Sequence, residues 1–220
     1  LMFFALILVA ALGVGLAGGF GELFATLEAR NPALLDPFTA SGGQALGAIG
    51  ILSLLAWGLG YPGQPHILAR FMAIRSADEM PTARRVAMGW VIVVLLAAVV
   101  VGLAGAALIT PPLDGPGSEK VFILLATTHL HPVLAGLCLS GILAAIMSTA
   151  SAQLLVASSA FAQDFYKGLF RREPGRAELL WVGRGAVLGI ALLAYLLALN
   201  PESKVLDLVA WAWAGFGAAF

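Results

Sequence analysis

Apolar residues run along this chain in blocks about 20 residues long, separated by short polar stretches, which is the span of a membrane helix. Six blocks can be drawn: 1–20, 45–74, 86–110, 133–166, 179–199 and a sixth from 205 onward. Continuous runs rich in Ala and Leu predict helices rather than strands, because in lipid the backbone must satisfy its own hydrogen bonds. The 34 residues of the fourth block reach roughly 50 Å at 1.5 Å each, past a hydrocarbon core of about 30 Å. Its end, 163–167, should therefore stand in the cytoplasm. Two stretches are not spans. Residues 22–41, with Pro32 and Pro37, read as an external loop with short helical turns. Residues 119–130 follow Pro111, Pro112 and Pro116 and place Val121, Leu124, Leu125 and Thr128 on one helical face. They predict a short helix lying over the outer mouth.

Composition hardens this picture. Of 220 residues, 60% are hydrophobic and 11% charged, where a soluble domain carries roughly 25% charged residues. Mean hydropathy is +0.96. One core could not hide so much apolar surface in water, so the chain reads as an integral membrane protein. Its formal charge of zero gives no field for nucleic acid. The single cysteine, Cys138, sits inside an apolar block as a small hydrophobe. The first block lacks a start methionine, a basic n-region and a cleavage site and so does not read as a signal peptide, and the last block stops inside an apolar run, so the chain reads as a piece of a longer transporter-like protein.

Charge in the loops sets orientation. Arg70, Arg75, Arg84, Arg85, Lys167, Arg171, Arg172, Arg176 and Arg184 fall on one side, nine of the twelve basic residues. Arg30, Lys120 and Lys204 fall on the other. By the positive-inside rule the first side is cytoplasmic.

The second block reads Trp57-Gly-Leu-Gly-Tyr61-Pro-Gly-Gln-Pro65-His-Ile-Leu-Ala-Arg70, with Gly60, Pro62, Gly63 and Pro65 within six residues. Proline removes a backbone donor and clashes with the preceding turn, so the helix should unwind here. Trp57 lies roughly 18 Å in from Ala45, close to mid-membrane. Unwound backbone at that depth is tolerated only where protein, water or ligand supplies partners, which makes a discontinuous helix a pointer to a transporter's binding site. The half-helix beginning near Gln64 would aim its positive end at the break, suiting a carboxylate. Trp57, Tyr61 and Pro65 recur every four residues and bracket it, offering flat apolar walls with N–H and O–H groups. Trp57, Tyr61, Gln64 and Pro65 are thus the candidate substrate-binding residues.

On the fourth block, Ala145, Ser148 and Thr149 stand at i, i+3 and i+4, one helical face. Two hydroxyls and a carbonyl make a neutral oxygen half-shell suited to a hard cation such as Na⁺. Membrane Ser and Thr also commonly bond back to their own helix, and three ligands need completion from other helices. No serine and histidine are placed together as an enzyme would require: His66, His129 and His131 sit near the membrane surfaces.

The run 57–71, together with Ile142-Leu-Ala-Ala-Ile-Met-Ser148-Thr149, Trp181-Val-Gly-Arg184, Asn200-Pro-Glu and Ala212-Trp-Ala-Gly-Phe-Gly-Ala-Ala-Phe220, closely resembles the solute:sodium symporter family. The likeness covers nearly the whole chain and is weakest in the first 45 residues and the loops. It implies an all-α membrane fold of the LeuT type, in which two inverted five-helix repeats rock around a central site. Residues 1–220 would hold the last helix of the first repeat and most of the second. It further implies that Ala145, Ser148 and Thr149 ligate the coupling Na⁺ and that Trp57, Tyr61 and Pro65 line the substrate site. The first core helix, which in the family supplies the remaining Na⁺ ligands, is not in this chain.

The implied activity is Na⁺-coupled symport of a small amino acid, L-proline foremost, across the cell inner (cytoplasmic) membrane. Proline-transporting members carry an aromatic where Pro62 stands and a cysteine where Ala152 stands, departures that bear on substrate choice and not on the ion. A symporter for another organic solute such as pantothenate, or a symporter-like sensor domain, remain alternatives.

Overall fold

A computed structural model describes residues 1–40, 43–113, 115–170, 173–199 and 205–218. Arg171, Arg172, Lys204, the Asn200-Pro-Glu motif and Phe220 lie outside the described residues. Among those described, the chain is helical, with one isolated backbone bridge between Thr39 and Ala45. Two compact units form: residues 1–60 with 73–144, and 61–72 with 145–220.

In the first unit, α1 (Met2–Leu16) packs along α5 (Met80–Leu108), and α6 (Val121–His129) lies against both. Ala5, Val9, Ala10, Val101, Ala104, Leu125 and Ala126 form the core between them. Small residues let the backbones close up. A Cβ on Gly13 would fall 2.5 Å from that of Ala104, and one on Gly105 would overlap the Val121 side chain. Such close approach is how membrane helices gain packing energy that lipid does not otherwise provide.

Two further helices and the first part of α7 (Pro132–Ala160) also belong to this unit. After α1 the chain turns through Gly18 and Gly19, at φ 86° and 107°, a region open to glycine. Their N–H groups donate to the Gly15 and Val14 carbonyls, closing the helix end. The next helix, α2 (Phe20–Arg30), sets off at 74° to α1. It buries Leu23 and Leu27 against Ala107 of α5. The other, α3 (Ala48–Leu55), tightens into a 3₁₀ stretch over Ala56–Gly60.

The second unit contains α4 (Pro65–Met72), the end of α7 (Pro132–Ala160), α8 (Arg176–Ala198) and α9 (Val205–Ala218). From Phe161 to Phe170, α7 continues as a π-helix. That stretch makes the extended contact with α8: the Tyr166 hydroxyl donates to Glu178 Oε1 at 2.7 Å. The other oxygen of Glu178 accepts the Gly175 N–H at 3.4 Å, so one carboxylate serves both the start of α8 and its neighbour.

Three element bounds and faces differ from expectation, within an all-α membrane architecture that is as expected: among the described residues three helices are long and apolar enough to cross a membrane, 77–108, 132–170 and 176–198, or four if α1 and α2 form one bent span, with shorter apolar helices over 48–60 and 205–215. The remainder are shorter because breakers divide them: α1 stops at the Gly18–Gly19 turn and the second block is cut at 61–64. Residues 20–30 form one three-turn helix rather than a loop with short helical turns, since Leu23 and Leu27 supply an apolar stripe and the prolines come after it. The third block's helix begins at Met80, six residues before Val86, with Pro81 in its first turn, where a missing N–H costs nothing. In α6 the packed face is Val121, Phe122, Leu125 and Ala126, and Thr128 is exposed. The fourth block does exceed a bilayer, running unbroken for 39 residues. No residue of α8 is buried among the described residues, so its apolar sides are left to lipid or to a protein partner.

Candidate functional site

The expected break is present. The chain leaves its 3₁₀ stretch at Gly60 and resumes as α4 at Pro65, where proline's fixed φ suits a first helical turn. Gln64 is the joint: its N–H donates to the Tyr61 carbonyl at 3.1 Å, and its carbonyl accepts from Ile67 and Leu68, both at 3.0 Å. The residue is only 3% exposed. The carboxamide nitrogen is buried with no hydrogen-bond partner among the described residues. Leaving such a donor unpaired costs about 1–3 kcal/mol, which native folds tolerate rarely, so the group calls for an acceptor such as a ligand, an ion or a water.

The other candidates differ in setting. Trp57, in the 3₁₀ stretch of the first unit, is half-buried. In the second unit, Tyr61 and Pro65 are exposed, and the Tyr61 ring meets Trp213 of α9 edge to face, with centroids 5.4 Å apart at 83°. This geometry is the favoured one for two aromatic quadrupoles.

On α7, Ala145 is half-buried and Ser148 and Thr149 are exposed. Ser140, Ser151 and Ser158 each donate back to a carbonyl three residues earlier, at 2.8, 3.1 and 3.0 Å. The Ser148 and Thr149 hydroxyls make no such bond and have no hydrogen-bond partner among the described residues. Their lone pairs are therefore open to an outside cation, as is the second lone pair of the Ala145 carbonyl. Among the described residues no three His, Cys, Asp or Glu side chains converge as metal ligands. Neutral oxygens are what this helix offers.

The sequence pattern of the Sodium:solute symporter family matches residues 1–220. The chain belongs to this family. It is 48% identical over its whole length to the sodium/proline symporter of Escherichia coli (strain K12), covering 44% of that protein. Against the osmoregulated proline transporter OpuE and the high-affinity proline transporter PutP of Bacillus subtilis (strain 168), the identities are 46% and 45%, again over the whole chain and over 44% and 46% of theirs. The chain thus spans less than half the length of these relatives. No solved structure matches it.

As a member of the sodium:solute symporter family, the chain is part of a multi-pass cell-membrane protein, and its relatives are transporters. One residue beside the candidate site carried no expected role: Trp213. Its motif was legible, but nothing in the spacing of Trp211 and Trp213 says which ring turns inward. The structure leaves Trp211 84% exposed and packs Trp213 on Tyr61. A separate cavity of about 480 Å³ in the first unit is lined by Phe4, Leu8, Leu134 and Cys138 among others. It contains none of the candidate residues.

Proposed function

We propose that the protein containing this chain carries Na⁺ and L-proline together across the cell membrane. Identity of 45–48% along the entire chain to relatives named as proline transporters or sodium/proline symporters carries the reading. The interrupted helix and the unbonded hydroxyls support it.

In this reading residues 1–220 supply the last helix of one inverted repeat and most of the other in a LeuT-type core. Nine basic residues face the cytoplasm. Ala145, Ser148 and Thr149 present neutral oxygens to Na⁺, so no carboxylate need be buried beside it. The ion binds the outward-facing state more tightly than the inward-facing one, and that difference is all that can shift the equilibrium. Proline then packs its ring against Trp57, Tyr61 and Pro65, with Gln64 at the same break.

The test is uptake of labelled L-proline by the full-length protein in proteoliposomes, with and without an inward Na⁺ gradient. Gradient-dependent accumulation is expected, and Trp57→Ala should weaken proline affinity more than Na⁺ affinity. Accumulation that ignores Na⁺, or a wild type that takes up another solute and not proline, defeats the reading.

A further inference from the structure

The least satisfied polar group at the break is the Gln64 carboxamide. Its main chain is fully engaged, donating to Tyr61 and accepting from Ile67 and Leu68. The root of the side chain is therefore fixed at the residue just before α4. What remains is an –NH₂ group, buried and without an acceptor among the described residues. Residues 61–72 contain no carboxylate to receive it, and the positive end of α4 favours an anion at the same point.

We propose that Gln64 reads the carboxylate of the transported amino acid, and so restricts transport to free α-amino acids over their amides and esters. The inference rests on the symport reading above and adds a specificity-determining residue to it. A carboxylate oxygen is the acceptor that gains most from a fixed amide donor, because charge-assisted hydrogen bonds are the stronger class. Neutralising the ligand removes that gain, and a site built around a hydrogen bond discriminates steeply against a ligand that cannot make it. The aromatic residues beside Gln64 read the apolar ring and would not detect this change.

The experiment is competition against Na⁺-driven uptake of labelled L-proline by the full-length protein in proteoliposomes, with L-proline and L-prolinamide as competitors. In the wild type, prolinamide should compete about 100-fold more weakly than proline. Gln64→Met keeps the length and removes the donor; it should weaken proline about tenfold or more and leave prolinamide nearly unchanged, narrowing the gap. Gln64→Glu keeps the shape and sets a like charge against the carboxylate. It should lose proline uptake while still binding prolinamide, read directly as a ligand-induced rise in the thermal unfolding temperature of the purified full-length variant, which shows that the variant is folded. A gap that stays the same in both variants, with the two ligands weakened equally, overturns the proposal and makes the amide a structural group. A wild type that does not distinguish proline from prolinamide also overturns it, with the symport reading intact. A wild type with no Na⁺-dependent proline uptake defeats that reading, and this inference with it.

Discussion

The guanidinium of Arg30 closes the end of α5, its Nη1 donating to the Ala106 carbonyl at 2.9 Å. The same nitrogen reaches the Ile109 carbonyl at 3.4 Å, and Nη2 reaches the Thr110 hydroxyl at 3.3 Å. The last carbonyls of a helix have no partner within it, and a cation there also meets the negative end of the dipole. Arg30→Ala should therefore destabilise the packing of α2 on α5 by about 1–2 kcal/mol. Arg30→Lys should recover only part, because one ammonium lacks the planar fork. Thermal unfolding of the purified protein in detergent reads both.

Gly105 bears directly on helix packing. A Cβ there would occupy the space of the Val121 side chain, so Gly105→Ala should cost about 1–3 kcal/mol through overpacking. The double variant Gly105→Ala with Val121→Ala should recover most of that loss, since the clash is between those two side chains. Equal losses in the single and double variants would show that α6 does not seat there.

Thr149→Ala removes one of the two hydroxyls that leave their own helix unbonded. The Na⁺ concentration for half-maximal proline uptake should rise about tenfold or more, a loss of at least roughly 1.4 kcal/mol. Thr149→Ser should stay near wild type. Ser140→Ala is the control, because that hydroxyl is occupied by the Leu137 carbonyl, and its Na⁺ dependence should not move.

Asp36 lies outside the spans and gives a pH dependence of known sign. Its carboxylate accepts from the Thr39 hydroxyl at 2.5 Å and the Phe38 N–H at 2.9 Å, and these bonds hold its pKa below the ordinary aspartate value. A depressed carboxylate pKa contributes stability above the unfolded value and loses it as pH falls through the folded one. The 36–39 turn should accordingly persist at neutral pH and loosen in acid. A carboxyl NMR titration should place Asp36 below an unstructured aspartate, and Thr39→Val should bring it back up.

Much of this was written in the residue pattern, and the misses have physical causes. Gly60, Pro62, Gly63 and Pro65 mark the break because each acts on its own backbone, whatever surrounds it. The long fourth span was equally plain from its apolar length. What failed were features that depend on neighbours. Leu23 and Leu27 make a helix of residues 20–30 only because α5 offers Ala107 to cover them, and the sequence around Glu22 and Glu28 looks polar enough for a loop. Thr128 was placed on the packed face of α6 by counting alone, whereas the neighbours α1 and α5 select Phe122 and Ala126. For the candidate site, the residue types were legible and their bonding state was not. That Ser148 and Thr149 stay unbonded while Ser140 and Ser151 turn back is a matter of rotamer, and that Gln64 keeps a buried donor is a matter of burial.

The tie between Tyr166 and Glu178 gives α8 a particular mechanical character. Among the described residues its extended contact is at the end where Arg176 begins it, and the rest of its surface is apolar and uncovered. The Tyr166–Glu178 bond of 2.7 Å therefore fixes where the 23-residue α8 sets off from the end of the preceding helix, and leaves its apolar sides to lipid or to further helices of the whole protein.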